Sequence, residues 1–286
     1  MPSVTRSIPL LALLVACAGN PPPPMIGGPT TEHRASAEPV TPAGKDEVIR
    51  IAPALNYRAT ARMERRDSIV LTLPDGKQQV QQNSRNARFS LQVSSGGEIQ
   101  VRLDSLTFHP EVPNASREAI GTVWRGKLGA HGIEELRPNR ENGVTRDMTS
   151  TVEDLLPALP RAGVMVGEHW ADTTSTTRRV EIFNAKDERR SAWRVGPPRT
   201  MQSLVVHPVE VTERYEQLGE GEQAGREMRM SAQGSRSATY YTTKAGRIDQ
   251  VVQVDSASRL ITIPETRQAI PTMQVIRTTV TFRYLP

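Results

Sequence analysis

Tyr57-Arg58-Ala59-Thr60-Ala61-Arg62-Met63-Glu64 is the stretch that decides the fold. Its apolar residues fall on every second position, with charged or hydroxyl residues between them. A period of two puts alternate side chains on opposite faces of an extended strand, one face on a core and one in water. Ile69, Leu71 and Leu73 continue the same parity, and Pro74-Asp75-Gly76-Lys77 supplies a hairpin turn. Ala87, Phe89, Leu91 and Val93 then alternate with Arg88, Ser90 and Gln92 before Gly96-Gly97 turns the chain again. Ile99, Val101 and Leu103 follow, after which the parity shifts to Leu106 and Phe108. That shift predicts a bulge near Asp104-Ser105.

The second half repeats the style, with candidate strands at 201–217, 226–233, 236–244, 247–261 and 273–285. Several exceed the usual length of about five or six residues. Long one-sided strands predict a single large, curved antiparallel sheet, a half-barrel, rather than a compact sandwich. Residues 121–127 leading into Gly132-Ile133-Glu134 echo residues 237–244 leading into Gly246-Arg247-Ile248-Asp249. Duplication into two related halves, 47–145 and 165–286, and chance likeness between hairpins explain that echo equally. One central helix is expected at 147–159, where Val152, Leu155, Leu156 and Leu159 make an apolar stripe. Pro157 should limit its last turn.

The first 46 residues read differently. Residues 1–7 carry Arg6, and residues 8–16 form the apolar run IPLLALLVA. That run is shorter than the ~20 residues a spanning helix needs, so it reads as a signal peptide, residues 1–16. Leu14-Val15-Ala16-Cys17 resembles the lipobox of bacterial lipoproteins. The resemblance implies cleavage before Cys17, a lipid on its thiol (a diacylglyceryl group, with palmitate-type acylation) and attachment to the membrane. The alternative is an ordinary secretory signal with an incidental cysteine. Ala18, where an Asp would mark inner-membrane retention in that family, implies the outer membrane, with the domain facing the periplasm. Residues 18–46 hold seven of the 22 prolines, including Pro21 to Pro24, and read with Cys17 as a disordered tether ahead of a β-rich domain at 47–286.

Composition narrows the function. Cys17 is the one cysteine, so the fold has no internal disulfide and no cysteine-based metal site. The net charge of +5 is spread along the chain, and aromatics make up only 4 %, which argues against a nucleic-acid partner. His33, His109, His131, His169 and His207 show no metal-ligand spacing, and no nucleophile elbow or phosphate loop is present. Gly219-Glu220-Gly221-Glu222 reads as a glycine-rich turn with too few carboxylates for calcium. Adjacent carboxylates such as Asp187-Glu188 point to opposite faces of a strand, so they form no acid/base pair by themselves. We therefore expect no catalytic residue, no metal, no cofactor and no enzyme activity; a glycosidase built from distant carboxylates is the remaining hydrolytic reading. Arg65-Arg66, Arg178-Arg179 and Arg189-Arg190 read as solvated sheet face, with lipid phosphates or anionic glycans as the alternative.

The most distinctive segment runs Leu156-Pro157-Ala158-Leu159-Pro160, then Val164-Met165-Val166-Gly167-Glu168-His169-Trp170. It resembles a segment of uncharacterised bacterial envelope lipoproteins. Its plain reading is architectural: prolines end a helix, Gly167 turns, and Trp170 packs on a core. A curved sheet, a helix on its concave side and a lipid anchor together look like the LolA/LolB and LppX-type half-barrels. That likeness of architecture implies a lipid or other apolar ligand in a cavity lined by Met63, Phe89, Leu91, Trp124, Leu155, Leu156, Met228 and Tyr240. The alternative is a non-enzymatic structural or assembly protein of the envelope that meets a protein partner.

Overall fold

The structure is a computed structural model that describes residues 50–73, 75–129, 132–160, 162–180, 182–223 and 225–286. The expected signal peptide, Cys17 and the expected tether, with His33 and His131, lie outside the described residues. Along the chain come β1 (Arg50–Ile51), β2 (Tyr57–Thr72), β3 (Gln78–Val93), β4 (Glu98–His109), α1 (Ala115–Ala119), β5 (Val123–Gly129) and β6 (Gly132–Pro138). Helix α2 (Gly143–Glu153) and β7 (Val164–Met165) follow. The second half holds β8 (His169–Val180), β9 (Phe183–Val195), β10 (Arg199–Met201), β11 (Leu204–Gln223), β12 (Arg226–Thr242), β13 (Ile248–Ile263) and β14 (Gln268–Tyr284).

Twelve strands form one antiparallel sheet in the order β6-β5-β4-β3-β2-β14-β13-β12-β11-β9-β8, with β10 added beside β11. The sheet is curved and unclosed, a half-barrel whose open edges are β6 and β8. The last strand completes its middle: β14 pairs β2 along thirteen positions, Val280 opposite Met63. The two halves are thus one continuous sheet. Hairpins carry most of the order because consecutive strands pair directly through short turns.

Alternation fixes which side is which. Along β2 the residues Ala59, Ala61, Met63 and Arg65 are buried while Arg58, Arg62, Glu64 and Arg66 are exposed. The anticipated bulge is present: Arg88 opposes Ser105 and Phe89 opposes Leu103, leaving Asp104 as the extra residue. Two prolines sit inside β11 and β14 because one neighbour is missing there. Pairing of β9 with β11 begins only after Pro208, and pairing of β2 with β14 stops at Thr272, beside Pro271.

Helix α2 connects the two edge strands across the concave side, yet its bounds differ from the expected 147–159. It starts at Gly143 because Asn142 caps it: the Asn142 side chain accepts from Thr145 N–H, and Thr145 Oγ1 accepts from Asn142 N–H. It ends at Glu153, with Asp154 as C-cap, since Pro157 has no N–H for the Glu153 carbonyl and its ring clashes with it in a helix. Leu155, Leu156 and Leu159 are buried from a loop instead. The loop is clasped by the short β1–β7 pair, where Arg50 Nη1 donates to Ala162 O and Gly163 O, both at 3.0 Å.

Candidate functional site

The concave face holds three tiers. The lowest is an apolar core on the inward positions of β2, β3, β4 and β5, roofed by Met148 and Val152 of α2. Met63, Phe89, Leu91, Trp124, Leu155, Leu156 and Tyr240 all lie in this one core. Trp124 Nε1 donates to Thr149 Oγ1 of α2 at 2.9 Å, and the Tyr240 hydroxyl donates to Asp154 O at 3.2 Å. Trp170 stacks on Trp193 with centroids 5.7 Å apart, and Trp193 on Tyr240 at 6.2 Å. Gly167 takes φ +87 in the turn that feeds β8, so the distinctive Val-Gly-Glu-x-Trp segment does architectural work. The space left beside Leu128, Leu156, Leu159 and Ile248 amounts to about 10 Å³. That is room for about one water, so the chain's own side chains take up most of this space. A recess of about 480 Å³ near Tyr57, Arg58, Gln92 and Arg247 is an open feature of the rim.

The middle tier is a belt of charge crossing β9, β11, β12, β13, β2 and β3 on inward positions. Arg236 Nη1 lies 2.9 Å from Asp154 Oδ1 and 3.0 Å from Glu213 Oε2. Arg189 Nε meets Asp187 at 2.8 Å, and Gln217 Nε2 donates to Asp187 Oδ1 at 3.2 Å. Tyr215 Oη donates to Asp255 Oδ1 at 2.7 Å. On the other side Arg65 Nε meets Asp67 at 2.7 Å, and Arg85 bonds Asp67 and also Asp147 of α2.

Burial opposes charge throughout the belt, and the partners decide the outcome. Desolvation acts against the Arg236 guanidinium, yet Asp154, Tyr240 and Glu213 push its pKa up. Burial likewise raises the Tyr240 hydroxyl, so it stays a donor. Burial also lifts the Asp255 carboxyl, against the Tyr215 hydrogen bond and Arg236. Arg65, Arg85, Arg189 and Arg236 face Asp67, Asp147, Asp154, Asp187, Glu213 and Asp255, so the belt meets its own positive charge rather than presenting an anion site. One polar atom in it, Arg236 Nε, is buried without a partner.

The top tier is a second apolar group, and Met228 belongs here rather than to the core with the other seven residues. The reason lies in β11. Gly219 and Gly221 point inward, opposite Met230 and Met228 on one side and Ala185 and Phe183 on the other. A Cβ at Gly219 would stand 3.1 Å from the Cβ of Phe183, so the glycines are the floor on which Phe183 lies. The Gly-Glu-Gly-Glu run is therefore strand interior and not a turn.

The charged belt is what sequence reasoning missed. Its signal was available: Arg65, Glu213 and Arg236 fall on the apolar parity of their strands, where a charge needs a buried partner. Two of the arginine doublets resolve by the same rule, with Arg65 and Arg189 inward, Arg66 and Arg190 outward, while the side chains of Arg178 and Arg179 lie outside those described. His207 is buried with Nδ1 unpartnered, and burial holds its pKa down. His109 and His169 are exposed at strand ends.

The outward face is charged over much of its area, through residues such as Arg62, Glu64, Arg88, Glu188, Arg190 and Glu216. A membrane-spanning barrel carries an apolar band there instead. Among the described residues no helix is long and apolar enough to cross a membrane.

No protein family and no characterised protein matches the chain in sequence. Among solved structures, Neisserial surface protein A is 8% identical, over 78% of this chain and 97% of that one, with a TM-score of 0.21. Ail, the attachment invasion locus protein of Yersinia pestis, is 3% identical over 80% and 100%, with a TM-score of 0.19. A LolA-superfamily protein from Nitrosomonas europaea is 9% identical over 83% and 90%, with a TM-score of 0.17. Superpositions this loose carry no weight for function.

Proposed function

We propose that the protein is a non-catalytic lipoprotein of the bacterial envelope, anchored in the outer membrane through acylated Cys17, that acts through the outside of its sheet. One observation carries this reading: the concave side is occupied by the chain's own helix and loop, leaving about 10 Å³ beside Leu156. Ligand sites ordinarily offer roughly 300–1,000 Å³. What remains available to partners is the surface, including the open edges β6 and β8 and the polar rim recess of about 480 Å³ near Arg58 and Arg247.

A second reading, a carrier of lipid or another apolar ligand, is favoured by how α2 is held. Ion pairs from Arg85 to Asp147 and from Arg236 to Asp154 fasten it to the sheet. Release of those pairs would uncover Met63, Phe89, Leu91 and Trp124. Native mass spectrometry of the full chain purified without detergent separates the two. The surface reading expects the polypeptide plus the acyl groups on Cys17 and nothing more. A further stoichiometric, extractable lipid would replace it with the carrier.

A further inference from the structure

The sheet's two wings differ in outward charge. On β9, β11 and β12 acids and bases interleave: Lys186 lies 2.5 Å from Glu188, Arg194 2.5 Å from Glu210, and Arg229 3.0 Å from Glu227. The three neighbouring strands β3, β2 and β14 are unlike this. Their outward positions carry Arg58, Arg62, Arg66, Arg88, Arg277 and Arg283 against one acid, Glu64, and are otherwise uncharged. All six arginines are exposed. Arg62 reaches Glu64 only at 3.9 Å, and among the described residues no acidic side chain pairs with Arg66, Arg88, Arg277 or Arg283.

Register sets arginine against arginine twice on this face, as it does once on the other wing at Arg190 and Arg214. Arg62 stands directly opposite Arg88, and Arg66 directly opposite Arg277. Like charges in those positions destabilise a sheet, so the fold gains nothing from them. Farther along the same face Val80, Val70 and Met273 line up across the same three strands, with Val80 59% and Met273 60% exposed. Basic residues beside exposed apolar ones fit the boundary between lipid headgroups and acyl chains. Guanidinium groups bind phosphate oxygens in pairs, and the scarcity of aromatics disfavours stacked bases.

We propose that the outward face of β3, β2 and β14 docks on an anionic lipid headgroup layer, its arginines on lipid phosphates and its Val80–Val70–Met273 row at the acyl boundary. The proposal rests on the envelope reading for its setting, since a tether holds the face within reach of a bilayer and makes weak contacts count.

The test uses the full chain carrying Cys17→Ser, so that no acyl anchor contributes. Co-sedimentation is measured with phosphatidylcholine vesicles and with equimolar phosphatidylcholine–phosphatidylglycerol vesicles. Residues 1–16, with Arg6, contribute equally in the parent and in the variants, so the difference between parent and variant on anionic vesicles reports the sheet arginines. We expect binding to the anionic vesicles at about 50 mM salt and its loss at about 500 mM. Arg62→Ser with Arg88→Ser should weaken it about thirty-fold. Arg190→Ser with Arg214→Ser, an opposed pair on the other wing, should change it by less than about two-fold. The first double variant should melt no lower than its parent, because an opposed like-charge pair is removed. Equal vesicle binding by parent and Arg62/Arg88 variant, no preference for anionic vesicles, or stronger retention on DNA or an acidic polypeptide would each overturn the proposal. An unacylated Cys17 in the native protein would overturn the anchor and leave this result untouched.

Discussion

Arg236 and Asp154 are joined at 2.9 Å, and this contact ties the C-cap of α2 to the middle of the sheet. The same Nη1 holds Glu213 at 3.0 Å, so one buried guanidinium neutralises two acids. Arg236→Ala would leave Glu213 buried without its closest cation. A loss of about 3–5 kcal/mol in urea unfolding is expected. A loss below about 1 kcal/mol would show that the belt contributes little to stability.

The Asp255 carboxyl is raised by burial in the fold. Such a group contributes stability while protonated, below its unfolded value of ~3.9, and loses it as pH rises through the folded value. Asp255→Asn stays uncharged and still accepts from Tyr215. The variant should therefore melt above wild type at pH about 7, with the advantage shrinking toward pH about 3. A wild type that melts higher at neutral pH would show that the arginines nearby outweigh desolvation.

Tyr215 lies across Gly234 of β12, its cross-strand partner, to reach Asp255 on β13. A methyl group at Gly234 would collide with the Tyr215 ring. Gly234→Ala should cost about 1–3 kcal/mol by overpacking. Combined with Tyr215→Val, which frees the space, the methyl should cost much less, and a double-mutant cycle measures that coupling. Simple additivity would mean that the ring moves aside freely.

Two apolar tiers separated by a belt of charge should respond independently. Phe89→Ala in the core should cost about 3–5 kcal/mol and Met228→Ala in the upper group about 2–4 kcal/mol. Their sum should describe the double variant to within about 0.5 kcal/mol in chemical denaturation. A larger coupling would place Met228 in the same cooperative packing unit as Phe89.

The sheet was legible because its signal is local and repeated. Each strand states its own inward parity, and the slip between Leu103 and Leu106 marked the bulge at Asp104. Helix α2 was half legible: the stripe at Val152 showed it, but Leu155 and Leu156 belong to the loop, and the Asn142–Thr145 box that sets its start is polar and easily passed over. Gly219 and Gly221 misled for a physical reason, since glycine in sequence does not distinguish a turn from a floor under Phe183. The belt stayed hidden because its pairs join residues as distant as Arg236 and Asp154 or Arg85 and Asp147. A charge on an apolar parity announces a partner but not which one. The filling of the core was beyond the sequence altogether, because residue types fix what lines a space and packing fixes whether space remains.

The pairing of β2 with β14 also sets a clock. Synthesis delivers Met63 long before Val280, and the two end up face to face in the middle of the sheet. Until β14 emerges, β2 waits as a bare edge able to recruit any passing strand, and closing a loop over so long a stretch of chain is slow. The two parts of the sheet are therefore joined only once β14 has been made. A nascent chain stopped short of residue 268 has its sheet cut in two, and aggregation, more than lost contacts, is the hazard such a truncation faces.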